Sequence, residues 1–324
     1  KCGLPPVRRA SSRFAKVSDG MTTQENQPAS GLSYAVAAYS TWGLLPLYFY
    51  FILHVPAIEM VAWRIIFTLP ICALILTVRN RWKQVWQGAS NPRALALLAA
   101  SAFLIGGNWL VFVQAVQSGH VLATSLGYYI NPLVNVLFGT LFLHEKLTKA
   151  QWIAVILAGI GVSILAWGAL DTLWISLVLA ITFSSYGLIR KVVSVEPLPG
   201  LTLETIILQP ICIGAILWLA VSPQGLEMGQ DTSISLLIAL SGLLTAIPML
   251  LFATAARRMD YSTLGFIQFL APTITFIISL TVYQEELRMA QLICFLFIWV
   301  AIALFSWDLF TRKRKARRAA TMPQ

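Results

Sequence analysis

Hydrophobic positions along the chain gather into ten runs, at about 31–53, 57–78, 94–118, 121–143, 150–168, 172–189, 201–221, 233–256, 261–283 and 289–308. Each run has the roughly 20 apolar residues that a helix needs to cross the hydrocarbon layer of a bilayer. Polar residues concentrate in the connections between the runs. Connections this short make consecutive helices antiparallel neighbours. A polar head (Lys1–Ser30) precedes the first run, and a basic tail (residues 309–324) follows the last.

Composition removes the alternatives. Of 324 residues, 58% are hydrophobic and 11% charged, with a mean hydropathy of +0.76. A soluble domain carries about 25% charged residues, so too few charges are present to cover a water-facing surface. That excludes an ordinary cytosolic enzyme, a disordered chain and a secreted disulfide scaffold. Of the cysteines, Cys72, Cys212 and Cys294 lie inside apolar runs and Cys2 in the head, with no C-x-x-C pair. They read as small core residues, with neither disulfide nor metal expected.

The net charge of +10 has a topological meaning. With the N-terminus inside, 21 of the 23 Lys and Arg fall in the head, the tail and the loops on one side. Arg288 alone falls in a loop on the other side, and Arg64 lies within a span. The positive-inside rule therefore predicts ten spans with both termini cytoplasmic, and a lipid bilayer rather than nucleic acid as the partner. The six basic residues of Arg312–Arg318 read as an anchor on anionic lipid. Residues 1–20 precede Met21, which reads as the natural start with upstream read-through sequence before it. An organelle-type presequence is the alternative.

The two halves match at a shift of 140. Pro70-Ile71-Cys72 pairs with Pro210-Ile211-Cys212, Pro132 with Pro272, and Glu145-Lys146-Leu147 with Glu285-Glu286-Leu287. At a shift of 144, Tyr39–Gly43 pairs with Phe183–Gly187. Five spans per half is an odd number, so the second half enters the membrane from the opposite side. The predicted fold is an all-α polytopic membrane protein of ten transmembrane helices in two inverted five-helix repeats, 31–168 and 170–308. Inverted repeats are a mark of secondary transporters, with the site near the midplane.

Polar residues within the spans supply the candidate site. His120, Thr124, Tyr128, Asn131 and Asn135 recur every three or four residues and share one helical face. Gln268, Pro272, Thr275 and Ser279 do the same in the ninth span. Such faces either line a cavity, with Tyr128, Asn131 and Gln268 toward the solute, or glue helices together by hydrogen bonds. The third span adds Asn108 and Trp109 after two glycines that permit close helix approach. Trp42 and Tyr186, equivalent in the two repeats, could stack on a planar or cationic solute. Pro132 and Pro272 each remove a backbone hydrogen bond mid-span and read as hinges or as packing kinks. Arg64 and Glu204 are equivalent at the 140 shift and read as charged gates or as snorkelling side chains. Glu59 and Asp308, at span ends, read as solvated. The three histidines sit at span ends. No nucleophile–base set, metal set or Walker loop can be assembled, so neither an enzyme nor a cofactor is expected. Proton coupling through Glu204 stays open, although no second carboxylate supports it. The pattern fixes no oligomeric state.

The motifs resemble the drug/metabolite transporter superfamily of EamA type. The resemblance is carried by the Pro-x12-Glu-x-Leu pattern from Pro132 and Pro272, by Ile105–Leu110, by Ser125–Asn135 and by Ser262–Phe266, and it covers about 32–308. It implies an inner-membrane permease for a small organic metabolite or drug. It also implies alternating access around a cavity lined by the first, third, fourth, sixth, eighth and ninth spans. Export is the expected direction. A non-transporting membrane assembly or sensor subunit is the alternative, and it requires the polar faces to be filled by interhelical bonds.

Overall fold

The structure is a computed structural model that describes residues 28–168, 170–223, 225–284 and 289–320. The head through residue 27, including Cys2 and Met21, lies outside the described residues. So do Glu285-Glu286-Leu287, Arg288 and the final four residues. Among the described residues every named element is helical: α1 (Pro28–Phe49), α2 (Ala57–Val78), α3 (Trp82–Ala89), α4 (Pro92–Gln117), α5 (Val121–Phe142), α6 (Lys149–Trp167), α7 (Leu173–Val192), α8 (Pro197–Val221), α9 (Thr232–Arg258), α10 (Tyr261–Gln268), α11 (Leu270–Thr281) and α12 (Met289–Ala320). Among the described residues ten spans are long and apolar enough to cross a membrane. The ninth is α10 and α11 end to end, and α3 is too short to span.

Local chemistry sets the helix starts. The Asn91 side chain accepts from the Ala94 amide, with Pro92 at the first helical position of α4. Thr148 and Gln151 cap α6 reciprocally. Asp231 accepts from the Ile234 amide at the start of α9. In α3, which the hydropathy pattern had left within a loop, Val85 and Gly88 are buried against the bundle while Trp86 is exposed. Tryptophan suits the headgroup level where such a helix sits.

The α2–α3 loop, the α5–α6 loop with Lys146, and the last turns of α7 (Arg190) and α9 (Arg257) meet at one end of the bundle, the basic end. Helix packing pairs α1 with α9 and with α10/α11, α2 with α8 and α9, α4 with α7 and α8, α5 with α7 and α10, and α6 with α12. If each span is exchanged for the one five later, these pairings map onto one another, whereas the packing of α7 on α9 has no comparable α1–α4 counterpart. At the α2–α9 crossing the backbones approach closely: a Cβ added to Gly242 would lie 2.5 Å from the Phe67 backbone. The helices can meet there only because residue 242 has no side chain.

One expectation changes at the span ends, that for Glu59; Asp308 stays half-exposed. Glu59 is fully buried, not solvated, and its carboxylate accepts from the backbone amides of Glu227 (3.0 Å) and Met228 (2.9 Å). It pins the loop between α8 and α9. Asp308 accepts from Thr148 Oγ1 at 3.0 Å, joining α12 to the start of α6. A carboxylate at the rim of a membrane bundle gains more from backbone donors than from a partly desolvated surface.

Candidate functional site

The polar stripe of α5 divides into two parts with different partners. Toward the basic end, Asn135 is fully buried and donates from Nδ2 to Gln268 Oε1 at 2.7 Å. Tyr39 Oη donates to the same oxygen at 3.4 Å. Here α1, α5 and α10 are joined through one amide. Further along, Thr124, Tyr128 and Asn131 line a narrow cleft with Asn108, Phe112 and Leu179. Its volume is about 10 Å³, room for a single water.

Within the cleft the side chains are unequally engaged. Asn108 Nδ2 is committed to α7, donating to Leu179 O (2.9 Å) and Thr182 Oγ1 (2.8 Å). Tyr128 packs edge-on against Phe112, with ring centroids 5.5 Å apart, yet remains 41% accessible. Asn131 is 2% accessible, and its Oδ1 meets no hydrogen-bond donor. An unpaired buried amide costs about 1–3 kcal/mol, more than helix packing needs to tolerate without a purpose.

The aromatic candidates form one cluster beside this region. Trp42 contacts Tyr39, Phe183 and Phe252 at centroid distances of 5.6 Å each. Tyr186 stacks on Phe252 at 6.0 Å and is fully buried, its hydroxyl without a partner. Trp42 is half-buried and Tyr186 is sealed, so these two positions, paired in sequence at the 144 shift, differ in access. Trp109 packs against the same cluster from α4 and also holds its ring 4.6 Å from the Arg64 guanidinium carbon.

The two intramembrane charges do not pair with each other. Arg64 is seven residues into α2 and Glu204 seven into α8. At 1.5 Å per residue each is about 10 Å from the start of its helix, and the two starts are at opposite ends of the bundle. Glu204 Oε1 accepts from Ser101 Oγ at 2.5 Å and faces Arg190 Nη1 at 3.5 Å. Both charged side chains are sealed, at 2% and 0% accessible. Arg190 Nη2 also donates to Pro197 O at 2.8 Å. The guanidinium fits because residue 200 is glycine, where an added Cβ would overlap Arg190 Nη1. Arg64 instead donates from Nε to Thr245 Oγ1 at 3.0 Å and lies over the rings of Trp109 and Phe49.

Further bonds close the basic end. Lys191 donates to Ala256 O (3.1 Å) and Met259 O (2.6 Å), and Arg257 to Val195 O (2.5 Å). Glu145 accepts from the amides of Tyr261 (2.6 Å) and Ser262 (2.8 Å), capping α10. Sequence reasoning had counted Arg190, Lys191 and Arg257 only as loop charges. The signal it passed over was Glu204 itself, since a carboxylate at that depth needs a cation within reach.

The two prolines act differently. α5 runs unbroken past Pro132, whereas the ninth span breaks at Phe269, between α10 and α11. Pro272 has no amide to offer the Gln268 carbonyl four residues earlier, and that carbonyl is the last of α10.

Fold and site define a multi-pass membrane protein whose polar groups are gathered inside the bundle. Residues 29–167 match the EamA-like transporter family. Protein RarD of Salmonella typhimurium is 42% identical over 291 residues, covering 89% of this chain and 99% of that protein. An uncharacterized transporter of Vibrio cholerae is 38% identical over 302 residues, covering 92% and 99%. A protein of known crystal structure shares the fold with a TM-score of 0.67 at 18% identity, covering 86% of this chain and 97% of that one. The chain belongs to the EamA-like transporter family, among the relatives named RarD.

Proposed function

We propose that the protein is a secondary transporter that moves a small organic solute across the bacterial inner membrane by alternating access between two inverted five-helix repeats. Both termini are cytoplasmic in this reading, and export is the working direction. The observation that carries it is the contrast along α5. Asn131 is buried, its side-chain oxygen meets no donor, and it lines the cleft; Asn135, one turn away, commits its nitrogen to Gln268, and its own unpaired oxygen lies outside the cleft lining. Interhelical gluing accounts for the Asn135 nitrogen, Gln268 and the Asn108 nitrogen. It leaves Asn131 unexplained, and that favours transport over a non-transporting assembly.

In this state the basic, cytoplasmic end is closed by Arg190–Glu204, Lys191, Arg257 and Glu145, and the cleft lies toward the other face. A cleft of this size holds no solute, so binding requires the helices around α5 to part. The repeat-symmetric packing of α2 on α8, and of α5 on α10, supports a rocking motion of one half on the other. Tyr128 and Asn131 then supply contacts to the solute, with Asn108 and Trp109 beside them. Trp42 and Tyr186 form the wall between α1 and α7, Gln268 orders α5 against α10, and Pro272 serves as the joint. No step calls for a cofactor. Proton coupling would have to use Glu204, which becomes available only when Arg190 withdraws.

The test is metabolite profiling inside and outside cells that lack the protein, re-expressing either the wild type or Asn131→Ala at matched membrane abundance. A solute pool that shifts with the wild type and reverts with the variant is the expected result. A pool that responds equally to both removes Asn131 from the site. The absence of any response, together with no flux in liposomes, favours the assembly reading.

A further inference from the structure

Arg64 and Glu204 occupy equivalent places in the two halves, and their surroundings are equivalent too. Glu204 on α8 touches Ser101 of α4 and Arg190 of α7. Arg64 on α2 touches Thr245 of α9 and Phe49 near the end of α1, and α9 and α1 are the counterparts of α4 and α7. Ser101 itself corresponds to Ser241 at the 140 shift, one turn from Thr245, whose hydroxyl donates to Ser241 O. The two sites differ in one respect. Around Glu204 the fold supplies an opposite charge, and around Arg64 it supplies none among the described residues.

A cation 6% accessible and about 10 Å deep is costly without an anion. One neutral hydroxyl and two aromatic faces offset part of that cost. The terminal nitrogens Nη1 and Nη2 donate to no acceptor among the described residues. Unlike the Arg190 nitrogens, they are not sealed from open space. Trp109, whose ring lies 4.6 Å from the guanidinium carbon, and Phe112, a wall of the cleft, pack on one apolar cluster with Val61 and Ile65 of α2. Arg64 is thus joined to the cleft that Asn131 lines through the aromatic side chains of α4.

We propose that Arg64 anchors a carboxylate of the transported solute, which makes the substrate a small organic anion with an apolar or aromatic body. A guanidinium presents two parallel N–H groups that match a carboxylate. Trp109, already stacked on the guanidinium, and Phe112 offer apolar surface to the rest of the solute, and Asn131 offers it a hydrogen bond. This proposal rests on the transporter reading and adds the charge of the cargo to it.

Matched probes test it in purified protein by titration calorimetry. Acetate, benzoate and phenylacetate are compared with acetamide, benzamide and phenylacetamide, with benzylamine as the cationic probe and chloride as the inorganic anion. The expected result is that the aromatic carboxylates bind the wild type roughly ten- to hundred-fold more tightly than their amides. Arg64→Gln then erases this preference, and Arg64→Lys, which keeps the charge but loses the fork, retains only part of it. A merely structural Arg64 would lower stability in the variants without moving the carboxylate-to-amide ratio. The inference is overturned if the wild type shows no preference for carboxylate over amide, a measurement that needs no variant to fold. It is also overturned if chloride competes as well as benzoate, because the site then reads inorganic anions. Should profiling find a neutral or cationic cargo while carboxylates show no preference, the transporter reading stands and this inference alone falls.

Discussion

The two ends of the bundle solve the same problem in opposite ways. Each has a formal charge about 10 Å inside the membrane span. At the basic end Glu204 is matched by Arg190, bonded by Ser101 and sealed. At the other end Arg64 has a hydroxyl and two aromatic rings, and its outer nitrogens are left over. The first site sets opposite charges face to face, although Arg190 Nε and Glu204 Oε2 make no hydrogen bond; the second holds a cation with no opposite charge among the described residues. In the proposed reading, positions paired at the 140 shift serve as a lock and as a binding group.

The largest expected effect lies in the lock. Arg190→Ala or Glu204→Ala should each lower stability by about 3–5 kcal/mol, because either strands a buried charge. Replacing both together, Arg190→Met with Glu204→Leu, should recover most of the loss. Thr245→Val at the opposite end should cost only about 1 kcal/mol. Unfolding of the purified variants in detergent checks the order, and equal costs at the two ends would break the comparison.

Next is the space beneath Arg190. Gly200→Ala places a methyl group where the guanidinium lies and should cost about 1–3 kcal/mol. Gly107→Ala, whose Cβ would meet nothing within 4 Å, should be neutral or gain up to about 1 kcal/mol. Thermal unfolding of the pair separates overpacking from backbone effects.

A third prediction sharpens the division along α5. Gln268→Ala leaves Asn135 unpaired and should cost about 1–2 kcal/mol. Asn131→Ala removes a buried oxygen that has no donor and should not lower stability, gaining up to about 1 kcal/mol. It should nonetheless reduce solute flux the more severely of the two. The same ranking in stability and in flux would erase the distinction between glue and site. The smallest effect belongs to the joint. Pro272→Ala should slow amide exchange around Phe269 while changing stability by under about 1 kcal/mol, and Pro132→Ala should leave exchange there unaltered.

The spans were legible because apolar runs of the right length have few other uses. The shared face of Thr124, Tyr128, Asn131 and Asn135 followed from helical spacing alone. Which members of that face bond across helices did not, because spacing fixes a direction on one helix and says nothing of the register of its neighbour. Asn135 and Gln268 meet through the packing of α5 on α10, separated by 133 residues of chain. Arg190 was hidden by its position near a span end, where a charge is normally left in water. The prolines looked alike in sequence, yet only Pro272 coincides with a break, since the carbonyl it strands is also the end of a short helix.

The buried ion pair has a consequence for biogenesis. Arg190 belongs to the excess of positive charge that, in the proposed orientation, holds the sixth span's end in the cytosol as the nascent chain enters the bilayer. In the finished protein the same residue is inaccessible to solvent. Its retention signal is therefore withdrawn from water once the seventh span delivers Glu204, so the assembled fold conceals part of the instruction by which it was threaded. A designer who replaced the pair with apolar residues to harden the mature protein would also remove a charge that the unassembled chain uses to choose its direction.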